Sequence, residues 1–316
     1  MSFYAHLIAR TPKFDFVGKR KIAFALTAFL IIGSFVSMAV RGFNFGIDFA
    51  GGILVEVQSV NGPADIAKMR ADLSALELGE VSLQQFGDSG RDVMIRVQKQ
   101  DGGEKSQMEA LAKVKDTLGT AFEYRRVEIV GPKVGDELKR DGVLAVALAV
   151  LAIAGYVWFR FEWQFGVGAL IATFHDVILT FGFFSITGME FNLTSVAAIL
   201  TIAGYSINDT VVIYDRVREN LRKYKSLSIY ELLNLAVNET MARTVLTVAT
   251  VFLTTVALLT LGGEVLRGFA AAMLLGLVVG TFSSMYVALP VLIYFNIRVG
   301  KEREDAEAAA AAEAKP

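Results

Sequence analysis

Residues 192–220 read NLTSVAAILTIAGYSINDTVVIYDRVREN, an apolar stretch with a carboxylate, Asp209, set into the half next to its basic end. The apolar part is long enough for a helix that crosses a membrane. An aspartate at that depth costs about 2.5 to 3.5 kcal/mol on translocon-insertion scales, so it marks a functional group by default. The polar residues that share its face at helical spacing are Thr201, Tyr205, Ser206 and Asn208.

This polar face has two interpretations. Polar residues on a membrane helix can hold helices together, at about 0.6 to 2 kcal/mol for each interhelical hydrogen bond. An ionisable group surrounded by several polar groups also suits a path for protons or other ions. Both interpretations predict that protein or water, and not lipid, lies opposite this face.

The composition places the chain in a membrane. Of the 316 residues, 54% are hydrophobic and the mean hydropathy is +0.49, which is too apolar for an ordinary soluble domain. The net charge of −1 gives no electrostatic case for nucleic-acid binding. The absence of cysteine excludes disulfides and thiolate sites, and two histidines argue against a histidine-rich metal site. Neither a metal nor a cofactor is predicted.

Apolar runs of suitable length predict six transmembrane helices. The spans are predicted at about 22–40, 143–159, 165–187, 192–214, 243–261 and 268–296. Basic clusters at 19–21, 216–225 and 298–303 flank spans at ends that the positive-inside rule assigns to the cytoplasm. We therefore predict a multi-pass protein of the cell inner membrane whose two termini, 1–21 and 301–316, are cytoplasmic.

The segment 41–140, between the first two spans, predicts a separate domain outside the cytoplasm. Alternating apolar residues and turn-forming glycines predict a strand at 53–60, a helix at 63–78, strands at 81–86 and 92–98, a helix at 104–118 and a strand at 122–130. This βαββαβ order is that of a ferredoxin-like α+β domain. The domain has no cluster of catalytic residue types, so binding and movement are predicted for it.

The fifth span is preceded by a stretch of different character. Residues 226–242 are predicted to form an amphipathic helix along the inner surface of the membrane. Arg243 then begins the fifth span, which has threonines at helical spacing on the same face. These threonines are Thr247, Thr250 and Thr254.

Two further patterns lie in the third and sixth spans. His175 and Asp176 are adjacent in the third span, where helix packing or proton handling is predicted and a metal site is not, because more ligands would be needed. Small residues recur every fourth position along the sixth span, which predicts the close approach of another helix. They are Gly268, Ala272, Gly276, Gly280 and Ser284.

Four segments of the chain together resemble the SecF family of bacterial protein export. The segments are GIDFAGG at 46–52, VGPKVG at 130–135, HDV at 175–177, and GYSINDT followed by DRVREN between 204 and 220. Their combination in this order is more specific than any one of them, and it covers nearly the whole chain. The motif residues of the first segment, at the membrane exit, are Gly46, Asp48, Phe49, Gly51 and Gly52.

The resemblance implies a half-transporter of the RND superfamily that pairs with six helices of SecD. It also implies that the proton motive force moves the external domains, which help to draw unfolded polypeptide out of the SecYEG channel, with YajC as a further partner. The proton-pathway groups of the family fall on Asp209 and Arg243. Further candidates for this pathway are Tyr205, Asn208, Asp176 and Thr247.

Three other functions compete with this one. An RND-like exporter of lipid or small molecules would share the carboxylate and the external domain. A purely structural assembly subunit would use its charges only to hold helices together. An enzyme is not predicted, because no Gly-x-Ser-x-Gly, His-Glu-x-x-His or P-loop pattern occurs. The residues themselves do not identify a polypeptide substrate, which is implied by the resemblance alone.

Overall fold

The computed structural model describes residues 12–87, 89–295 and 297. Its helices are α1 (Arg20–Arg41), α2 (Ile47–Ala50), α3 (Ile66–Ser74), α4 (Glu104–Leu118), α5 (Pro132–Arg160), α6 (Trp163–Thr187), α7 (Leu193–Lys223), α8 (Ile229–Leu261), α9 (Gly263–Ser283) and α10 (Leu289–Val291). Its strands are β1 (Gly52–Ser59), β2 (Val81–Phe86), β3 (Asp92–Val97) and β4 (Phe122–Val130). The predicted tail 301–316 and the basic residues Arg298, Lys301 and Arg303 lie outside the described residues.

Six helical stretches of the described chain are long and apolar enough to cross a membrane. They are α1, α5, α6, α7, α8 and the stretch from α9 to Phe295. The prediction of a six-span helical membrane protein with a sheet domain is confirmed.

The four strands form one antiparallel sheet in the order β2-β3-β1-β4. Helices α3 and α4 cover one face, where alternate strand residues such as Val55 and Ile95 meet Leu73 and Val114 in a fully buried core. This arrangement confirms the ferredoxin-like order that the alternation of residues predicted. Gly52 and Val130, at the two ends of the domain, are cross-strand partners.

Helices α6 and α7 lie at the centre of the membrane bundle. About half or more of each apolar window is buried, 61% for α6 and 50% for α7, against 11% for α5 and 11% for α8. Helix α9 covers α7 through its small residues, because a side chain at Gly276 would overlap Ile202 and one at Gly280 would press on Ser206. The predicted stripe on the sixth span therefore serves close packing, as expected.

The prediction of an interfacial helix at 226–242 is wrong. Helix α8 runs without a break from Ile229 through Arg243 to Leu261. The apolar residues of its first half face protein and not lipid headgroups, and they pack in a core with Phe16 and Val17. Those α8 residues, all fully buried, are Leu232, Leu233, Ala236 and Val237.

The chain before α1 is tied to the same half of α8. The amide oxygen of Asn234 accepts hydrogen bonds from the backbone N–H groups of Phe16, at 2.8 Å, and Val17, at 3.1 Å. Asn238 accepts from the N–H of Phe14 at 3.0 Å and donates to its carbonyl at 2.9 Å. These bonds satisfy the otherwise unpaired backbone of the segment, so the first half of α8 belongs to the protein core.

Two other spans differ from their predicted limits. Helix α5 begins at Pro132, so residues 132–140, which were predicted to belong to the external segment 41–140, are already part of the helix that forms the second span. Proline suits this first position because its missing N–H has no partner there in any case. The sixth span contains a π-helical turn at Ser284–Ala288 before Pro290, a change of backbone pairing that was not predicted.

Candidate functional site

Asp209 lies inside the membrane part of α7 with only 4% of its surface exposed. Its Oδ2 atom has no hydrogen-bond partner among the described residues, and neither does the hydroxyl of Tyr205, one turn earlier. The charge of Arg243, on α8, acts on this carboxylate. Asp209 therefore lies within electrostatic range of Tyr205 and Arg243 and has an oxygen without a partner among the described residues, and the role of the three in a proton pathway stays a prediction.

Part of the predicted polar face is open. Thr201, Asn208 and Arg243 are exposed and Thr247 is half-buried, and the part of the chain that the structure describes does not cover them, whereas Ser206 is buried. The threonine hydroxyls donate back to their own helices, as Thr247 does to the carbonyl of Arg243 at 2.9 Å and Thr254 to that of Thr250 at 2.9 Å. Such bonds satisfy each hydroxyl locally. Of the side chains on this face, the carboxylate of Asp209 is therefore the one suited to gain and release a proton, because an arginine guanidinium stays protonated in proteins.

Asp176 forms a second polar centre, and it is fully buried between α6, α7 and α9. One carboxylate oxygen lies 2.8 Å from Nδ1 of His175. The other accepts hydrogen bonds from the hydroxyls of Ser206 and Ser283, the latter at 2.8 Å. An intramembrane carboxylate with three polar neighbours is well satisfied, so Asp176 fixes the positions of three helices.

Sequence reasoning missed part of this centre. It did not identify Ser283, and it assigned Ser284 only to close packing, although the hydroxyl of Ser284 also lies 2.8 Å from that of Thr210. A signal was available, because a buried carboxylate in the third span requires donors from other spans at the same depth. The adjacent serines of the sixth span meet that requirement.

The motif at the membrane exit lies at the amino end of α7. Asp48 accepts a hydrogen bond from the N–H of Leu193, the first residue of α7, at 2.9 Å. At 1.5 Å per residue, the helix from residue 193 to Asp209 is about 24 Å long. The motif residues are therefore a separate group from the Asp209 site.

The space around Gly46 and the backbone conformation of Gly52 explain why glycine occupies these two positions of the motif. A side chain at Gly46 would displace the carboxylate of Glu190 and press on Cβ of Asn192, 3.0 Å away, so glycine lets the two loops approach without these shifts. Gly52 has φ +130° and lies against the carbonyl of Val97, a conformation and a spacing that exclude larger residues. Phe49 packs on the ring of Phe191, with centroids 5.7 Å apart.

Comparison with protein families agrees with these features. A family model described as protein export membrane protein SecD/SecF, C-terminal, matches residues 110–298, which is more than half of the chain. The chain belongs to the SecD/SecF family. A model of the SecD/SecF GG motif also matches residues 36–61, which include the motif at the membrane exit. The resemblance carried by the four sequence segments is thereby confirmed.

Individual SecD/SecF relatives cover nearly all of the chain. The protein translocase subunit SecF of Rickettsia rickettsii is 48% identical over 293 residues, 92% of this chain and 94% of the relative. The protein of the same name from Rickettsia typhi is 46% identical over 289 residues, 90% of this chain and 92% of the relative. These relatives are named as translocase subunits and not as enzymes.

Two solved SecDF structures have the same fold. The crystal structure of SecDF, a translocon-associated membrane protein from Thermus thermophilus, matches with a TM-score of 0.79 and 34% identity over 93% of this chain. SecDF in a super-membrane-facing form matches with a TM-score of 0.66 and 34% identity over 95% of this chain. The chain spans only about two fifths of those SecDF chains, 39% and 40%.

Proposed function

We propose that this chain is an inner-membrane translocase subunit that pairs with SecD and uses the proton motive force to assist protein export. The observation that carries the proposal is Asp209, a nearly fully buried carboxylate with an unpaired oxygen inside a membrane span, under the charge of Arg243. An intramembrane ionisable group of this kind suits proton transfer. Relatives of nearly the same length are named translocase subunits.

The working cycle depends on the charge of Asp209. When ionised, the carboxylate attracts the guanidinium of Arg243; when protonated, it releases it. A charge that crosses the membrane potential is worth about 2.3 kcal/mol per 100 mV, enough to bias a two-state equilibrium many-fold. Tyr205 and Asn208, on the same face, would line the path of the proton, and Thr247 would line it from α8.

SecD is the proposed cover for the open polar face of α7 and α8. Arg243 and Asn208 are exposed in the single chain, and most of the apolar surface of α8 is exposed with them. The SecDF chain from Thermus thermophilus extends well beyond the 39% that this chain matches. A second six-helix bundle on this face would protect the polar groups from lipid.

The orientation follows from the basic residues. Residues 19–21 lie at the amino end of α1, and the arginines and lysines of 216–225 lie at the carboxyl end of α7. These two ends are on the same side of a membrane if both helices span it. The positive-inside rule assigns that side to the cytoplasm. The sheet domain then lies outside, where it would contact unfolded polypeptide leaving SecYEG, with YajC as a further partner.

Replacing Asp209 with asparagine tests the proposal. The matched control is Asp215→Asn on the same helix, because Asp215 is exposed and paired with Arg160 at 3.0 Å. Both variants should yield a normal complex in vesicles with SecYEG. We expect Asp209→Asn to lose gradient-stimulated preprotein transport and the control to retain it. A sodium gradient in place of the proton gradient identifies the coupling ion.

Normal gradient-stimulated transport in Asp209→Asn would refute the proton-carrying role. The chain would then be an assembly subunit that uses its charges to hold helices, a role that the satisfied Asp176 centre would support.

Co-purification from native membranes tests the partner separately. A stable monomer without a SecD-like companion would contradict the pairing.

A further inference from the structure

The amino end of α7 is bonded to the chain that enters the sheet domain. The backbone N–H of Gly46 donates to the carbonyl of Phe191 at 2.9 Å, and the N–H of Phe191 donates to the carbonyl of Asn44 at 2.8 Å. This pair of bonds forms a short parallel bridge between Phe45 and Phe191. We call residues 44–52 together with residues 188–193 the joint.

Asp48 attaches the joint directly to the helix. Its carboxylate accepts from the N–H of Leu193, the first helical residue of α7, at 2.9 Å. A carboxylate at this position also interacts favourably with the positive end of the helix dipole. The side chain of Asn192 caps the N–H of Ser195, so the two side chains satisfy different N–H groups of the first turn. The start of α7 is therefore held from two directions.

An ion pair extends the joint into the sheet. Arg96, on β3, pairs with Glu190 in the loop before α7, and each side chain is only about a fifth exposed, 19% and 21%. Partial burial makes such a pair stronger than one at the surface, because solvent screens it less. The pair connects a central strand with a loop that directly precedes α7.

Aromatic packing makes the joint compact. The ring of Phe191 lies at its centre, with neighbouring ring centroids 5.3 to 6.2 Å away. On the far side Gly135, in the first turn of α5, would place a side chain 3.2 Å from the backbone nitrogen of Gly51. The rings around Phe191 belong to Phe43, Phe45, Phe49, Phe181 and Phe184.

We propose that Asp48 and Glu190 are positioning residues that carry movement of α7 into the sheet domain. The inference rests on the proposed proton cycle at Asp209, near the middle of the same unbroken helix. A displacement of α7 reaches the joint along the helix axis. From the joint, the displacement reaches β1 through Asp48 and α2, and it reaches β3 through the ion pair of Glu190 with Arg96. These strands are the two central ones of the sheet.

The absence of cysteine from the chain makes the test direct. Spin labels on Val40→Cys, at the outer end of α1, and Ala112→Cys, on the exposed side of α4, report the distance between membrane bundle and sheet domain. The labelled complex, purified from native membranes with its partner, is reconstituted in vesicles. We expect the distance distribution to shift when a proton gradient is imposed.

The joint variants should remove this shift. Glu190→Gln combined with Asp48→Ala should abolish the gradient-dependent shift and the gradient-stimulated transport. Asp48→Asn retains an acceptor oxygen and should restore much of both. Charge reversal, Arg96→Glu with Glu190→Arg, should restore the shift that Glu190→Arg alone loses. The matched control is Glu123→Gln, which removes the exposed Glu123–Arg125 pair of β4.

The outcomes separate the joint from the proton cycle. If the distance shift persists in the combined Glu190→Gln and Asp48→Ala variant, the proposal that the joint carries the movement is refuted, whatever the transport result. The proposal is also refuted if the distance distribution of the parent complex does not shift under the proton gradient although transport still depends on Asp209. If the parent shift is present, survives Asp209→Asn and disappears in the joint variants, the joint stands and the proton-carrying role of Asp209 fails. If the reversed pair stays inactive while Glu123→Gln is normal, the role of Arg96 is refuted.

Discussion

The carboxylate of Asp176 accepts a hydrogen bond from the hydroxyl of Ser206, three positions before Asp209 on α7. This contact fixes the rotation of α7 against α6 at the depth of the functional carboxylate. Ser206 and Asp209, three positions apart, lie on the same side of α7, so the Asp176 centre also limits how Asp209 is placed in the bundle. The carboxylate of Asp176 has hydrogen-bond partners at both oxygens, whereas the nearly fully buried Asp209 has an oxygen without a partner among the described residues.

Asp176→Leu should destabilise the bundle. The substitution leaves the hydroxyl of Ser206 without its acceptor, at about 1 to 3 kcal/mol for a buried unsatisfied group, whereas Ser283 keeps its bond to the carbonyl of Gly280 at 3.1 Å. Asp176→Asn keeps one acceptor oxygen and should cost less. Thermal unfolding of the purified complex measures both. Equal stability of the leucine variant and the parent would show that the centre is not structural.

Gly276→Ala should separate α7 from α9. The added methyl group overlaps the side chain of Ile202, and overpacking of this kind costs about 1 to 3 kcal/mol. The second substitution Ile202→Ala should recover part of the loss, which a double-mutant cycle measures. Gly155→Ala on α5 is the control, because nothing lies within 4 Å of the added group. It should be neutral or stabilise by up to about 1 kcal/mol.

Tyr214→Phe should lower stability but not transport, and Tyr205→Phe should lower transport but not stability. The hydroxyl of Tyr214 donates to the carbonyl of Ala288 in the π-helical turn at 3.1 Å, whereas that of Tyr205 has no partner among the described residues. Loss of the first bond should cost about 0.5 to 1.5 kcal/mol and leave transport per folded complex unchanged. Loss of the second hydroxyl should leave stability unchanged and reduce gradient-stimulated transport. Unfolding and transport assays on the same preparations decide between these results.

Asn234→Ala should release the segment before α1. Hydrogen bonds from the N–H of Gly18 and from the amide of Asn234 lower the pKa of Asp15 below its ordinary value of 3.8. A lowered pKa means that the ionised form stabilises the docked state, so this contribution is present above pH 3.8 and is lost as the pH falls through the lowered pKa. The protection of the Phe16 and Val17 amides from hydrogen exchange, relative to the intrinsic exchange rate at the same pH, should fall in the variant, and in the parent at low pH. Unchanged exchange in Asn234→Ala, compared with Asn208→Ala as control, would contradict the docking.

Local patterns predicted much of this fold. Apolar runs longer than the membrane is thick identified the spans, and alternation with glycine turns identified the strands. Strand β2 and helix α4 have the predicted limits, 81–86 and 104–118. The position of Asp209 in an apolar helix identified it as a candidate, because its cost is evident without any structure.

These local patterns could not predict which residues that are far apart in the sequence come into contact. An amphipathic stretch looks the same whether its apolar side meets lipid or protein, so the shared core of Leu233 and Phe16 and the continuity of α8 could not be predicted. The pairing of Asp48 with Leu193 joins residues 145 positions apart. The π-helical turn before Pro290 depends on which carbonyl each N–H meets, and composition does not encode that choice.

The cross-strand pairing of Gly52 with Val130 places the two ends of the sheet domain about 5 Å apart. A module whose ends are neighbours can be enlarged, reduced or exchanged without changing the separation of the helices that carry it. Exchange at these two residues would leave α1, α2 and α5 in place. Evolution could therefore vary the external module of such subunits for different cargo while the membrane helices keep one design.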